Sequence, residues 1–216
     1  MEVRNVQIPC RDIALEGMAH FPDGQASGAV VVCHPHPLYG GDMGNHVVIS
    51  TCQALAGAGI MALRFNFRGT GRSGGTHTGG AREWEDIVAA AEKAKELLGK
   101  ETTAVGLAGY SFGAAVAVMA APHVPGLKAV ALISPPTRAL NKETIAALRV
   151  PVLIISGEQD IFAPPDELRQ WERQMPEQVE LVLMPGTDHF WGMGFDVPAA
   201  RLAAFMRRHL EGHARP

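Results

Sequence analysis

Little in this sequence points to covalent or metal scaffolding. The three cysteines among 216 residues, Cys10, Cys33 and Cys52, are odd in number and form no C-x-x-C pair. That argues against a disulfide framework and a thiolate zinc site and leaves reduced, mostly buried thiols. Nor is there a basic tract: 19 Lys+Arg stand against 22 Asp+Glu, a net charge of -3, so nucleic acid is not an expected partner. The longest apolar runs, such as Ala114 to Ala121, fall well short of the roughly 18 residues of a membrane span, so no membrane association is expected. Met1 to Cys10 carries Glu2 and Arg4 and has no apolar signal-peptide core, which makes the cytoplasm the expected location. What the chain does have is a hydrophobic fraction of 47%. At this length about 70% of the unfolded surface can be buried, so one domain spanning residues 1–216 is expected.

The order of elements follows from the spacing of apolar residues. Val3, Val6 and Ile8, then Ile13, Leu15, Met18 and Phe21, alternate on either side of a break at Pro9 to Asp12, the pattern of two short antiparallel strands at a sheet edge. From Ala29 to Cys33 the chain is continuously apolar and β-branched, which suits a strand buried on both faces. Similar runs return at Ile60–Phe65, Ala104–Ala108, Ala129–Ile133, Val152–Ile155 and Val179–Leu183. Helical stretches lie between and after them, at about Asn45–Ala58, Ala81–Leu98, Phe112–Ala121, Pro164–Met175 and Pro198–Leu210. Strands alternating with helices imply βαβ units, hence an α/β fold with a mainly parallel central sheet and helices on both faces. Function in such sheets sits at the carboxyl ends of the strands.

Gly109-Tyr110-Ser111-Phe112-Gly113 has the G-x-S-x-G form of a nucleophile elbow, and it lies where one is built, directly between a strand and a helix. The two glycines are needed because strand and helix approach closely around a tight, strained turn. A second match, Gly71-Arg72-Ser73-Gly74-Gly75, has neither strand before it nor helix after it and reads as loop. A serine hydroxyl needs a general base held by an acid. The loop after Ile155, Ser156-Gly157-Glu158-Gln159-Asp160, offers carboxylates, and the loop after Leu183, Pro185-Gly186-Thr187-Asp188-His189, offers a histidine and one further carboxylate, both loops at strand ends.

These segments, with His34-Pro35-His36-Pro37-Leu38-Tyr39-Gly40-Gly41 and Arg64-Phe65-Asn66-Phe67-Arg68-Gly69, resemble the α/β-hydrolases over essentially the whole chain. In particular they resemble the small cap-less bacterial serine hydrolases related to dienelactone hydrolases. The resemblance implies Ser111 as nucleophile, Asp160 as orienting acid and His189 as base. Dienelactone hydrolases carry cysteine at the elbow, so the serine here argues against a dienelactone substrate. For a developing oxyanion, Phe112 N–H supplies one donor; the other is expected from His36 N–H, since Pro35 and Pro37 have none, with Leu38 N–H as the alternative. Asp188, adjacent to His189, is poorly placed to reach its ring, and Glu158 is a lesser rival. The segment Ser134 to Val150 is too short for a lid of several helices, which leaves an open site with walls expected from Leu38, Tyr39, Phe112, Phe162, Phe190 and Trp191.

The expected activity is hydrolysis of small acyl esters or thioesters, a carboxylesterase-like reaction on a small-molecule substrate that needs no cofactor. An amidase or peptidase with the same triad is the nearest alternative. From other classes, His34, His36, Asp42 and His46 suggest a metal cluster, but the prolines and the absent Asp-His pair depart from zinc-hydrolase spacing, so no metal is expected. Gly69-Thr70-Gly71-Arg72-Ser73-Gly74 fits a dinucleotide fingerprint, yet the helix that should open within it begins later and the expected acid is missing. A binding protein with an inactive hydrolase fold would lack the Ser, Asp and His set.

Overall fold

The antiparallel pair forms as expected: β1 (Glu2–Cys10) and β2 (Ile13–Phe21) pair in register, and β2 continues antiparallel onto β4 (Met61–Phe65). The computed structural model describes residues 1–99, 104–192 and 194–211. All other pairings are parallel, through β3 (Ala29–Cys33), β5 (Val105–Tyr110), β6 (Leu127–Ile133), β7 (Val152–Gly157) and β8 (Val179–Met184). The eight strands run in the order β1-β2-β4-β3-β5-β6-β7-β8, with β1 at an edge.

Apolar runs become buried strands because successive side chains serve opposite faces. Val31 and Cys33 of β3 and Leu107 of β5 enter one core, with the helices α2 (Glu83–Leu98), α3 (Phe112–Ala120) and α5 (Pro165–Gln174). Val30 and Val32, with Ala108 and Tyr110, enter the other, with α1 (His46–Gly57) and α6 (Asp196–Leu210). The side chain of Asn45 caps α1 by accepting the Val47 N–H at 3.0 Å. Between β6 and β7 there is only α4 (Lys142–Ala146), a five-residue helix fixed by a capping box of Asn141 and Thr144. No cap domain covers the sheet, and among the described residues no helix is long and apolar enough to cross a membrane.

The order reverses at β4-β3-β5. Chains leaving β3 and β5 therefore diverge, and a crevice opens above their carboxyl ends. Buried polar groups fix the surroundings. Arg68, just beyond β4, binds Asp86 of α2 through its backbone N–H at 2.9 Å and its guanidinium at 2.6 Å. His34, just beyond β3, accepts the Phe67 N–H on Nε2 at 3.1 Å and donates from Nδ1 to the Pro35 carbonyl at 2.6 Å, joining the chains that leave β3 and β4. On β2, His20 Nε2 accepts Arg64 Nε–H at 3.0 Å.

His20 and His34 both use Nε2 as an acceptor and so fold as neutral rings. Burial, helped at His20 by the Arg64 charge, pushes each from its ordinary 6.5 down to about 4. Between those values the unfolded chain binds protons that the folded chain refuses, so stability rises with pH across the window and is lost as pH falls from about 6.5 to about 4. Each ring sets a limiting slope of about 1.4 kcal/mol per pH unit. Urea midpoints measured across this range should therefore fall with acid, and less steeply in a His20→Gln, His34→Gln double variant; an unchanged slope would assign the loss to other groups.

Candidate active site

Strand β5 ends at Tyr110, α3 begins at Phe112, and Ser111 between them has φ 54° and ψ −115°, a backbone state that a non-glycine residue adopts only under constraint. The flanking glycines show the constraint. A Cβ on Gly109 would lie 2.3 Å from the Gly113 carbonyl oxygen, and one on Gly113 would lie 2.5 Å from that of Cys33. The helix is thus pressed against the ends of both β5 and β3.

Three residues from three strand ends meet there. His189 Nε2 is 3.0 Å from Ser111 Oγ, and its Nδ1 is 3.0 and 2.9 Å from the two oxygens of Asp160. A carboxylate can only accept, so Nδ1 carries the ring proton and Nε2 presents a lone pair to the serine hydroxyl. Asp160 also accepts the N–H groups of Phe162 and Ala163 at 2.9 Å and the Ser156 hydroxyl at 3.2 Å. Burial alone would raise this carboxyl; the bonds from His189, Ser134 and Ala163 outweigh it and hold it below the ordinary carboxylate range. It is a buried, ionised acceptor. The backbone of His189 is fixed in turn by the Tyr110 hydroxyl, which donates to its carbonyl at 2.8 Å.

The rival carboxylates stand elsewhere. Asp188 accepts the Phe190 N–H within its own turn at 2.9 Å, and Glu158 pairs loosely with Arg169 at 3.7 Å. Ser73, in the second G-x-S-x-G match, accepts the Glu16 N–H and donates to the Asn66 carbonyl, a buried bridge between loop and sheet. The glycine loop around it has N–H groups already bonded to protein carbonyls: Gly69 to Gly74, Thr70 to Phe67, Ser73 to Thr70, and Gly74 to Ala14 of β2. Of the proposed metal histidines, His34 has the two bonds described above and His46 reaches the Trp191 carbonyl. Among the described residues, no group of three or more His, Cys, Asp or Glu side chains is placed to hold a metal ion.

The crevice is a cleft of about 690 Å³, floored by Ser111 and His189 and lined by Pro35, His36, Tyr39, Phe112, Pro136, Ala139, Phe162 and Phe190 among others. Two expected wall residues are elsewhere. Trp191 is 1% exposed: it turns into the core through a backbone φ of 59°, packs on Phe195 and donates its indole N–H to Ser134 Oγ at 3.0 Å. Leu38 is 73% exposed and not part of the lining; its loop makes a 3-10 turn that leaves its side chain in solvent. Tyr110, Ser134 and Ser156 support the triad and were missed by sequence reasoning. Their only signal was a hydroxyl at each of three strand ends.

The acid and histidine loops touch backbone to backbone. Gln159 N–H bonds the Thr187 carbonyl at 2.9 Å, and a Cβ on Gly157 would lie 2.0 Å from that oxygen. Gly157→Ala should push Asp160 away from His189. The expected cost is about 1–3 kcal/mol, lowering Tm by about 2–4 °C per kcal/mol at this size, with slower covalent labelling of the serine by a fluorophosphonate. A wild-type Tm together with a wild-type labelling rate would show that the loops separate freely.

Comparison with known proteins agrees with this architecture. A model of the alpha/beta hydrolase domain matches residues 28–194. An α/β serine hydrolase homologue from Coxiella burnetii is 32% identical, with TM-score 0.78 over 95% of this chain and 96% of that one. A serine hydrolase without a lid from Xanthomonas campestris is 29% identical, with TM-score 0.85 over 100% and 98%. An uncharacterized protein of Rickettsia prowazekii is 30% identical over 169 residues, 74% of this chain and 71% of its own length. By fold, by the extent of the family match and by the bare sheet above β6 and β7, the chain belongs to the alpha/beta hydrolase family, as a small member without a cap.

Proposed function

We propose that this protein is a serine hydrolase that cleaves carboxylic esters or thioesters of small acids through an acyl-enzyme on Ser111. The observation that carries the reading is the unbroken chain of hydrogen bonds from Asp160 through His189 to Ser111, ending at the floor of an apolar cleft. His189 Nε2 takes the hydroxyl proton as Ser111 Oγ attacks the acyl carbon, and Asp160 stabilises the imidazolium that results. The negative oxygen of the tetrahedral intermediate is received by the N–H groups of Phe112 and His36. Collapse expels the alcohol or thiol with the proton from His189, and water repeats the sequence to release the acid. Among the described residues that line the cleft, none is Lys, Arg, Asp or Glu, which supports neutral acyl groups over charged ones. Tyr39, Phe162 and Phe190 supply the walls.

Two comparisons test the assignment. Ser111→Ala should abolish fluorophosphonate labelling and reduce kcat on p-nitrophenyl esters by about 10³-fold or more. Ser73→Ala should keep the label and lose only stability, on the order of 1 kcal/mol for each bond removed. The reverse pattern would move the nucleophile to the glycine loop.

For the acid, Asp160→Asn should lower kcat/KM by about 10³–10⁴-fold, because an amide can donate to Nδ1 and stabilise the wrong tautomer. Asp188→Asn retains the oxygen that accepts the Phe190 N–H and should stay near wild type. Measured above the histidine ionisation, a crippled Asp188→Asn beside an active Asp160→Asn would reverse the two roles.

A further inference from the structure

His36 does more than offer a backbone N–H. It is the N-cap of a 3-10 turn, Pro37–Tyr39, and its Nδ1 accepts the Leu38 N–H at 3.2 Å. A backbone N–H can only donate, so Nδ1 must present a lone pair: the ring is neutral, with its proton on Nε2. The His36 carbonyl meanwhile accepts the N–H groups of Tyr39 and Gly41, each at 3.1 Å. Side chain and carbonyl of one residue thus close the loop that carries one proposed oxyanion donor.

The same ring touches the other donor's residue. Its centroid is 4.7 Å from that of Phe112, whose own ring is packed by His77 at 5.4 Å and Phe67 at 5.6 Å. His77 in turn lies beside the first residue of α2, with neither ring nitrogen in hydrogen-bonding geometry. Its Nδ1 lies 3.0 Å from Glu83, a fully buried carboxylate that also gathers the Thr78 N–H and hydroxyl at 2.6 Å and the Gly80 N–H at 2.8 Å. His36 therefore lies between the two halves of the oxyanion site, in contact with both.

We propose that the neutral imidazole of His36 is a positioning group for the oxyanion loop, so that turnover requires a second histidine, besides His189, to be unprotonated. The proposal rests on the serine hydrolase reading and extends it. A proton on Nδ1 would face the Leu38 N–H donor to donor; the cap is lost, the turn opens, and the His36 N–H leaves the position where it meets the oxyanion. The titratable groups around the ring are Tyr39 on its own turn, His34 at the end of β3, His77 in the glycine loop and Glu83 on α2. Burial and the neighbouring His77 favour the neutral ring, Glu83 opposes them, and the net direction is below the ordinary histidine value.

The test is the acid limb of kcat for a soluble p-nitrophenyl ester, with circular dichroism confirming the fold at each pH. Wild type should approach a limiting slope of two. His36→Ala removes cap and packing and should lower the plateau kcat by roughly 10–100-fold with little change in KM, as for a weakened oxyanion donor. His36→Asn supplies an acceptor that does not titrate; it should recover a substantial part of that loss and show a slope of one. In NMR titrations the Leu38 amide should move in step with the His36 ring. A wild-type slope of one, a slope of two that persists in His36→Asn, or a Leu38 amide that ignores the ring would each overturn the proposal. If ester hydrolysis survives in Ser111→Ala, the parent reading fails and this one with it; if it is lost there and the wild-type slope is one, only the role of His36 fails.

Discussion

Ser111 stands in a backbone conformation that costs on the order of 1–3 kcal/mol, and most of the site depends on its being kept there. The constraint comes from three segments of chain brought closer than side chains allow: the end of β5, the start of α3 and the end of β3, in contact through Gly109 and Gly113. That contact places Ser111 at the cleft and sets how closely the start of α3 approaches the end of β3. Removing either glycine would disturb Ser111 and the start of α3 together, because one packing arrangement determines both.

A second theme is the use of uncharged histidine as a structural acceptor. His20, His34 and His36 each place an unprotonated ring nitrogen opposite an N–H group, on β2, beyond β3 and in the turn that follows. A carboxylate would accept equally well but would bring a second buried charge close to the site, where Asp160 already stands as an ionised acceptor. A neutral ring accepts one bond, packs against aromatic neighbours and leaves the field around His189 nearly unchanged. Its cost is sensitivity to acid.

The fold was largely legible because its signals are long. Five-residue apolar runs between helical stretches have few interpretations, and the segments assigned as strands and helices differ from the observed ones chiefly at their ends, as with Ala104–Ala108 against Val105–Tyr110. The short helix α4 escaped notice, since five residues show no periodicity and its stability comes from a local capping box. Within the site, the loops that carry Ser111, Asp160 and His189 were legible from residue type and position at strand ends, and the resemblance to the hydrolases singled out the three residues that the structure brings into hydrogen-bonding contact. The errors concern direction. Trp191 follows His189 by two residues, and sequence proximity suggested a shared wall, but its positive φ turns the indole away into the core. Leu38 is next to Tyr39, yet only Tyr39 reaches the cleft. The supporting hydroxyls of Tyr110 and Ser134 act between different strand ends, so their partners are known only once the strand order is, whereas Ser156 reaches Asp160 within its own strand-loop segment.

The inward turn of Trp191 also has an optical consequence. Of the three tryptophans, Trp84 lies half-buried against His123, Trp171 is buried on the core side of α5, and Trp191 is enclosed with its indole N–H on Ser134 and its carbonyl on His46. The last is buried and bonded two residues from His189. The protein thus carries an intrinsic fluorophore in the same loop as His189, and with Trp84 and Trp171 replaced its light would follow whether that loop is seated, with no label attached.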